Sequence, residues 1–182
     1  MQQFKRYYTG ELDARKDFGV ARATSSQKCF RTSDIDEVGD NTHLTFFEML
    51  GNFSFNDYWK EDAIKWSYEL ITEVFGISPD RVAVTVFAGD HDVPFDKESY
   101  DIWRNVVGLS ENKISKQGRK DNFWGPTGSE GPCGPTTEIY VDGVEVWNVV
   151  FNEFYQKADK TLEKSKTPGI DTGMGLERLV AV

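Results

Sequence analysis

The chain has 182 residues, 38% hydrophobic and 14% aromatic, enough for one domain that buries about two-thirds of its unfolded surface. Its net charge of −9 argues against a broad phosphate-binding face, and no apolar run approaches the ~20 residues of a membrane span. Two cysteines and two histidines exclude a disulfide framework, a four-thiolate zinc site and a histidine-rich metal centre.

Met1 to Tyr8 lack the apolar stretch of a signal peptide, which makes the cytoplasm the expected compartment. Residues 21 to 31 read as a strand. A polar loop from Thr32 to His43 follows, and 44 to 55 read as the returning strand. Asn56 or Asp57 offers a cap for a helix whose buried face holds Trp59, Ala63, Trp66, Leu70, Ile71 and Val74, ending near Gly76. Arg81 to Ala88 is rich in Val and predicts a strand. Residues 96 to 108 predict a second helix closed by Gly108.

Lys113, Lys116, Arg119 and Lys120 form the one concentrated basic stretch, either a solvated loop or a contact for nucleic acid. Gly and Pro between 125 and 135 predict a shaped loop. Thr137 to Val141 and Val144 to Phe154 predict a hairpin about Asp142-Gly143. Hairpin-joined strands interrupted by helices give an α+β domain with a mainly antiparallel sheet flanked by helices. Cys29 and Cys133 lack a partnered histidine and read as buried or loop thiols.

Residues 169 to 178 read Gly-Ile-Asp-Thr-Gly-Met-Gly-Leu-Glu-Arg, a glycine-rich approach running into a helix start. Glycines allow backbone to come close to a flat or phosphorylated ligand. Three further blocks precede it in order: Cys29-Phe30-Arg31 with Thr45 to Phe55, then Asp121 to Trp124 with Gly131 to Ile139, then Glu145 to Phe151. Together they resemble the catalytic core of class II aminoacyl-tRNA synthetases, in the alanine-specific branch, over nearly the whole chain.

The resemblance implies a single adenylation domain over 1–182 that uses ATP and Mg²⁺, activates alanine and charges the acceptor end of tRNA(Ala). Both ends read as cut, because most of the family's first motif and its later domains are missing. On this resemblance Arg31 contacts the α-phosphate and the amino-acid carboxylate, since a planar fork can bridge two oxyanions. Arg178 lies against adenine and the terminal phosphate. Phe46 or Phe47 stacks on adenine; strand alternation permits only one, and Phe46 is preferred.

Trp124 walls the amino-acid pocket, and Asn148 donates to the substrate carboxylate. Asp171 pairs with the substrate ammonium or caps the last helix with Thr172. Gly173 and Gly175 leave space for a small substrate. Glu48 and Glu145 are candidate Mg²⁺ ligands or solvated, salt-bridged acids. The loop after Arg31 is acidic where the family's is basic. An alternative is therefore an ATP-binding paralogue or inactive fragment that aminoacylates nothing and acts as a regulatory or interaction module. The oligomeric state is not legible.

Overall fold

The structure is a computed structural model that describes residues 2–32, 35–40, 42–126 and 128–182. Ser33, Asp34 and Asn41 of the expected loop, and Thr127 of the second one, lie outside the described residues. Two short helices, α1 (Lys5–Tyr8) and α2 (Ala14–Phe18), lead into strand β1 (Arg22–Phe30). Its residues alternate between exposed and half-buried, the period-two pattern of an edge strand covered on one face. The chain returns as β2 (Phe46–Phe55), antiparallel to β1 with Cys29 opposite Phe47.

Helix α3 (Lys60–Glu69) follows and widens into a π-helical turn over Leu70–Val74. After β3 (Val82–Phe87), α4 (Lys97–Asp101) does the same over Ile102–Val106. The two endings are alike. Ile77 N donates to Ile71 O at 3.1 Å and Leu109 N to Trp103 O at 2.9 Å. Gly76 and Gly108 supply the left-handed residue at φ 71° and 82°, the glycine stop expected of each helix. Asp96 caps α4 by accepting from Ser99 N. Asn56 and Asp57 do not cap α3, which starts at Trp59 without a side-chain cap. Asn56 instead turns at φ 58°, and Asp57 pairs with Arg22 at 2.6 Å.

Strands β4 (Ile114–Gln117), β5 (Phe123–Trp124), β6 (Gly131–Val141), β7 (Val144–Gln156) and β8 (Leu162–Gly175) complete the sheet; α5 (Arg119–Asn122) precedes β5 and α6 (Leu176–Ala181) ends the chain. The order is β1-β2-β8-β7-β6-β3-β4, with β5 paired to β6. Every pairing is antiparallel except β3 with β4. The hairpin from β6 to β7 turns at Asp142 and Gly143, both at positive φ (50° and 83°), as an Asp-Gly turn of the primed type requires.

Part of the expected loop at 125–135, and the glycine-rich run that follows later, are strand. Gly131 to Pro135 belong to β6, where a side chain on Gly134 would meet Phe151 O at 1.8 Å. The glycine-rich run 169 to 175 is the end of β8, a central strand. A Cβ on Gly169 would lie 2.2 Å from Ser54 O and 2.6 Å from the Tyr8 ring. Glycine is needed there for backbone approach inside a sheet, not for a turn.

Strand alternation divides the two faces. Ile139, Val141, Trp147, Val149, Phe151, Ile170 and Met174 point to one side and pack with Ile64, Ile71 and Trp103 of the two long helices. Each fully buried side chain of this kind contributes about 1.5–3 kcal/mol. Lys60, 2% exposed, sits beside this core with Asp96 at 2.8 Å and Glu153 at 2.5 Å. Burial opposes its charge, but Asp96 and Glu153 outweigh it and its pKa lies above the ordinary value. The residues between the core positions face the other way.

Candidate active site

Those intervening residues line a cleft of about 1330 Å³: Glu138 and Tyr140 of β6, Asn148 and Val150 of β7, Asp171, Gly173 and Gly175 of β8. Arg31, Phe47 and Met49 enter from the β1–β2 side, Arg178 and Glu177 from α6, and Trp124 from β5. Arg31 and Arg178, distant in sequence, thus share one cleft.

Arg178 is held in place. Its Nε donates to Thr42 O at 3.1 Å, and its Nη1 donates to Glu145 O at 3.0 Å and to Glu145 Oε2 at 3.2 Å. Thr42 is itself fixed by Asp40, whose carboxylate accepts from Thr42 N at 2.8 Å, His43 N at 2.7 Å and His43 Nδ1 at 2.7 Å. The Thr42 and His43 bonds hold the Asp40 carboxyl well below the usual carboxylate range. Arg31 stands beside a ring. Its N–H donates to Thr45 O at 3.0 Å and its guanidinium carbon lies 5.1 Å from the Phe47 ring centroid, within cation–π range.

Phe46, the expected stacking ring, is 58% exposed and does not line the cleft, whereas Phe47 does. Register decides this, because successive strand residues point to opposite faces. Glu48 follows Phe46 and also misses the cleft; its N–H donates to Glu177 Oε1 at 2.8 Å. Of the two acids expected to hold Mg²⁺, only Glu145 faces the cleft. Glu177 faces it too, and its Oε2 is buried without a partner among the described residues.

A carboxylate pair of this kind matches the one or two acids that a nucleotide-borne Mg²⁺ takes from a protein. Among the described residues, the one three-group cluster able to hold a metal is exposed Asp90-His91-Asp92. It lies outside the cleft, and Asp90 is paired with Arg119 at 2.5 Å.

Trp124 is 38% exposed at one wall of the cleft. Asp171 is half-buried in mid-strand, so it is not a helix cap; that place belongs to Gly175. Burial raises the Asp171 pKa. Thr172 bonds across to β2, accepting from Asn52 N at 3.0 Å and donating to Asn52 Oδ1 at 2.7 Å. A Cβ on Gly173 would meet Met49 Sδ at 2.9 Å. Met49 therefore fills the space that Gly173 leaves and becomes part of the wall.

Sequence reasoning passed over Glu138. It is 6% exposed and accepts from Tyr140 OH at 2.8 Å, Thr85 Oγ1 at 3.0 Å and Asn148 Nδ2 at 3.3 Å. Burial, reinforced by nearby Glu145, pushes its pKa up to about 7. The available signal was an acid within the otherwise uncharged run Pro-Thr-Thr-Glu-Ile-Tyr-Val. Burial pushes the Cys133 thiol to about 11, so it is no nucleophile at neutral pH.

The basic stretch is dispersed by folding. Lys113 bonds to Pro79 O at 3.0 Å and Asp80 O at 2.6 Å, Lys116 sits 4.6 Å from the Phe95 ring centroid, and Arg119 pairs with Asp90. Lys120 alone of the four lines the cleft.

Comparison with known proteins places this geometry. Aspartyl tRNA synthetase from Entamoeba histolytica superposes with a TM-score of 0.52 at 14% identity, covering 97% of this chain and 47% of that one. Pyrrolysyl-tRNA synthetase from Desulfitobacterium hafniense gives 0.51 at 15%, covering 95% and 45%. These show the fold.

An alanine–tRNA ligase of Rubrobacter xylanophilus is 46% identical over 100% of this chain and 23% of its own length. One of Treponema pallidum is 49% identical over 88% and 30%. The chain spans less than a third of the length of either relative. The profile of the family described as tRNA synthetases class II (A) matches residues 1–182, and the chain belongs to that family.

Proposed function

We propose that the chain is the adenylate-forming core of an alanine–tRNA ligase. The observation that carries this reading is the convergence of Arg31 and Arg178 on one cleft that also holds Trp124 and Asp171. The names of the relatives support alanine as the amino acid and tRNA(Ala) as the acceptor.

The alanine carboxylate attacks the α-phosphorus of ATP; a carboxyl oxygen–phosphorus bond forms and the bond to pyrophosphate breaks. Two anions must meet, so the protein's task is to neutralise and align them. Arg31, exposed at the cleft mouth beside Phe47, is placed to bridge the α-phosphate and the carboxylate. Phe47 offers its ring to adenine in place of Phe46. Arg178 offers the opposite cationic wall. Asp171 pairs with the ammonium, and Trp124 with Met49 limits side-chain size.

Mg²⁺ neutralises the phosphates when bound, and Glu145 with Glu177 would hold it. In the second step the tRNA 3′-terminal hydroxyl attacks the acyl carbon and AMP leaves. The dispersal of the basic stretch supports placing most tRNA phosphate contacts outside these residues.

Alanine-dependent exchange of pyrophosphate into ATP tests the reading. The chain should exchange, and Arg31→Ala should lose about 10²-fold or more. Absence of exchange at saturating ATP and alanine overturns it. ATP binding without exchange would favour the non-aminoacylating alternative, for which the acidic residues from Ile35 to Asp40 speak.

A further inference from the structure

Resting on the alanine-activation reading above, we propose that Glu138 is a positioning residue: it grips the amide nitrogen of Asn148 so that the amide oxygen faces the bound amino acid and accepts from its ammonium. The hydrogen bonds carry a direction. Asn122 Nδ2 donates to Thr85 Oγ1 at 2.9 Å, which leaves the Thr85 hydroxyl proton for Glu138 Oε2 at 3.0 Å. Tyr140 OH donates to the same oxygen at 2.8 Å. The other oxygen, Oε1, accepts from Asn148 Nδ2 at 3.3 Å.

In its ionised form Glu138 only accepts, and a carboxamide has one donating and one accepting end. The polarity of Asn148 is therefore set. Its Oδ1 is buried and has no partner among the described residues. A buried unpaired carbonyl is costly, and a ligand that donates to it removes that cost. The register places the ligand. Asn148 lies opposite Gly173, and Asp171 stands two residues along the same face of β8, also lining the cleft.

An acceptor oxygen and a carboxylate thus share one wall, a match for an ammonium with three donors. The donor role expected for Asn148 toward the substrate carboxylate is already taken by Glu138. Substrate carboxylate recognition falls to Arg31.

Calorimetric titration with two non-reacting adenylate mimics tests this: alanyl-sulfamoyl-adenosine, and the propionyl counterpart that lacks only the ammonium. Asn148→Ala and Glu138→Gln should each weaken the alanyl mimic about 10-fold or more, while the propionyl mimic changes by about twofold or less. Equal loss on both mimics, or a larger loss on the propionyl one, overturns the proposal. Should Glu138→Gln fail to fold by thermal melt, Asn148→Ala decides it alone. If the unaltered chain binds neither mimic, the activation reading falls and this proposal with it. Binding of both mimics with the wrong pattern of loss sinks the proposal only.

Discussion

The two halves of the cleft are built differently. The β6–β7–β8 half is backed by the helices and carries its polar groups on strands whose alternate residues are almost fully buried. The β1–β2 half is a sheet edge, with Phe30 75% and Phe46 58% exposed. Small ligands need fixed walls to be told apart, because one methylene in a pocket is worth only about 1–3 kcal/mol. On the proposed function, selection of a small amino acid falls mainly to the β6–β7–β8 half, with Met49 of β2 completing the wall. The β1–β2 edge presents a guanidinium and a ring that can settle on a larger nucleotide as it arrives.

The sharpest way to break the rigid half is Gly134→Ala. Its Cβ would stand 1.8 Å from Phe151 O, so the β6–β7 pairing must part. We expect loss of the cooperative transition in a circular-dichroism melt, while Gly39→Ala, with nothing among the described residues within 4 Å of its Cβ but a left-handed φ, should cost far less. Lys60→Met comes next. It leaves Asp96 buried without its cation, and half-buried Glu153 with only Lys164 at 3.5 Å, and should cost about 3–5 kcal/mol in urea titration.

The third test compares the halves through ATP. Phe47→Leu should raise the KM for ATP in pyrophosphate exchange about tenfold, while Phe46→Leu should stay within about twofold. Equal effects would erase the distinction that register makes.

The last test is on pH. Glu138 has its folded pKa raised to about 7, so the folded chain binds the extra proton between the ordinary glutamate value and 7. Stability should therefore fall as pH rises through that window, by up to about 1.4 kcal/mol per unit. Glu138→Gln should flatten this slope in urea midpoints taken at pH 5, 6 and 7.5.

What could be read beforehand follows from how local each cause is. The two long helices, their glycine stops and the Asp-Gly hairpin depend on periodicity and turn chemistry within a few residues, and all appear where expected, except that Trp66 and Val74, expected on the buried face of the first helix, are 43% and 66% exposed. That Arg31 and Arg178 would share one cleft was legible because their blocks keep the order of the family they resemble. The strand character of Gly169 to Gly175 was hidden, since glycine speaks against a strand unless a neighbouring chain presses close. Ser54 and Tyr8, which press on Gly169, are far away in sequence. The choice of Phe47 over Phe46 needed a register that no single strand reveals. Glu138 was missed because nothing local distinguishes a solvated glutamate from one enclosed by Thr85, Tyr140 and Asn148.

The bond from Arg178 to the Thr42 carbonyl has a further consequence. The backbone of Thr42 is bracketed by a carboxylate through its N–H and by a guanidinium through its carbonyl oxygen. The guanidinium comes from the last turn of the chain, 136 positions away in sequence. Removing that side chain therefore loosens the rim of the cleft as well as deleting a cation. Loss at position 178 therefore does two things at once: it subtracts a charge and unfastens the segment that shapes the entrance.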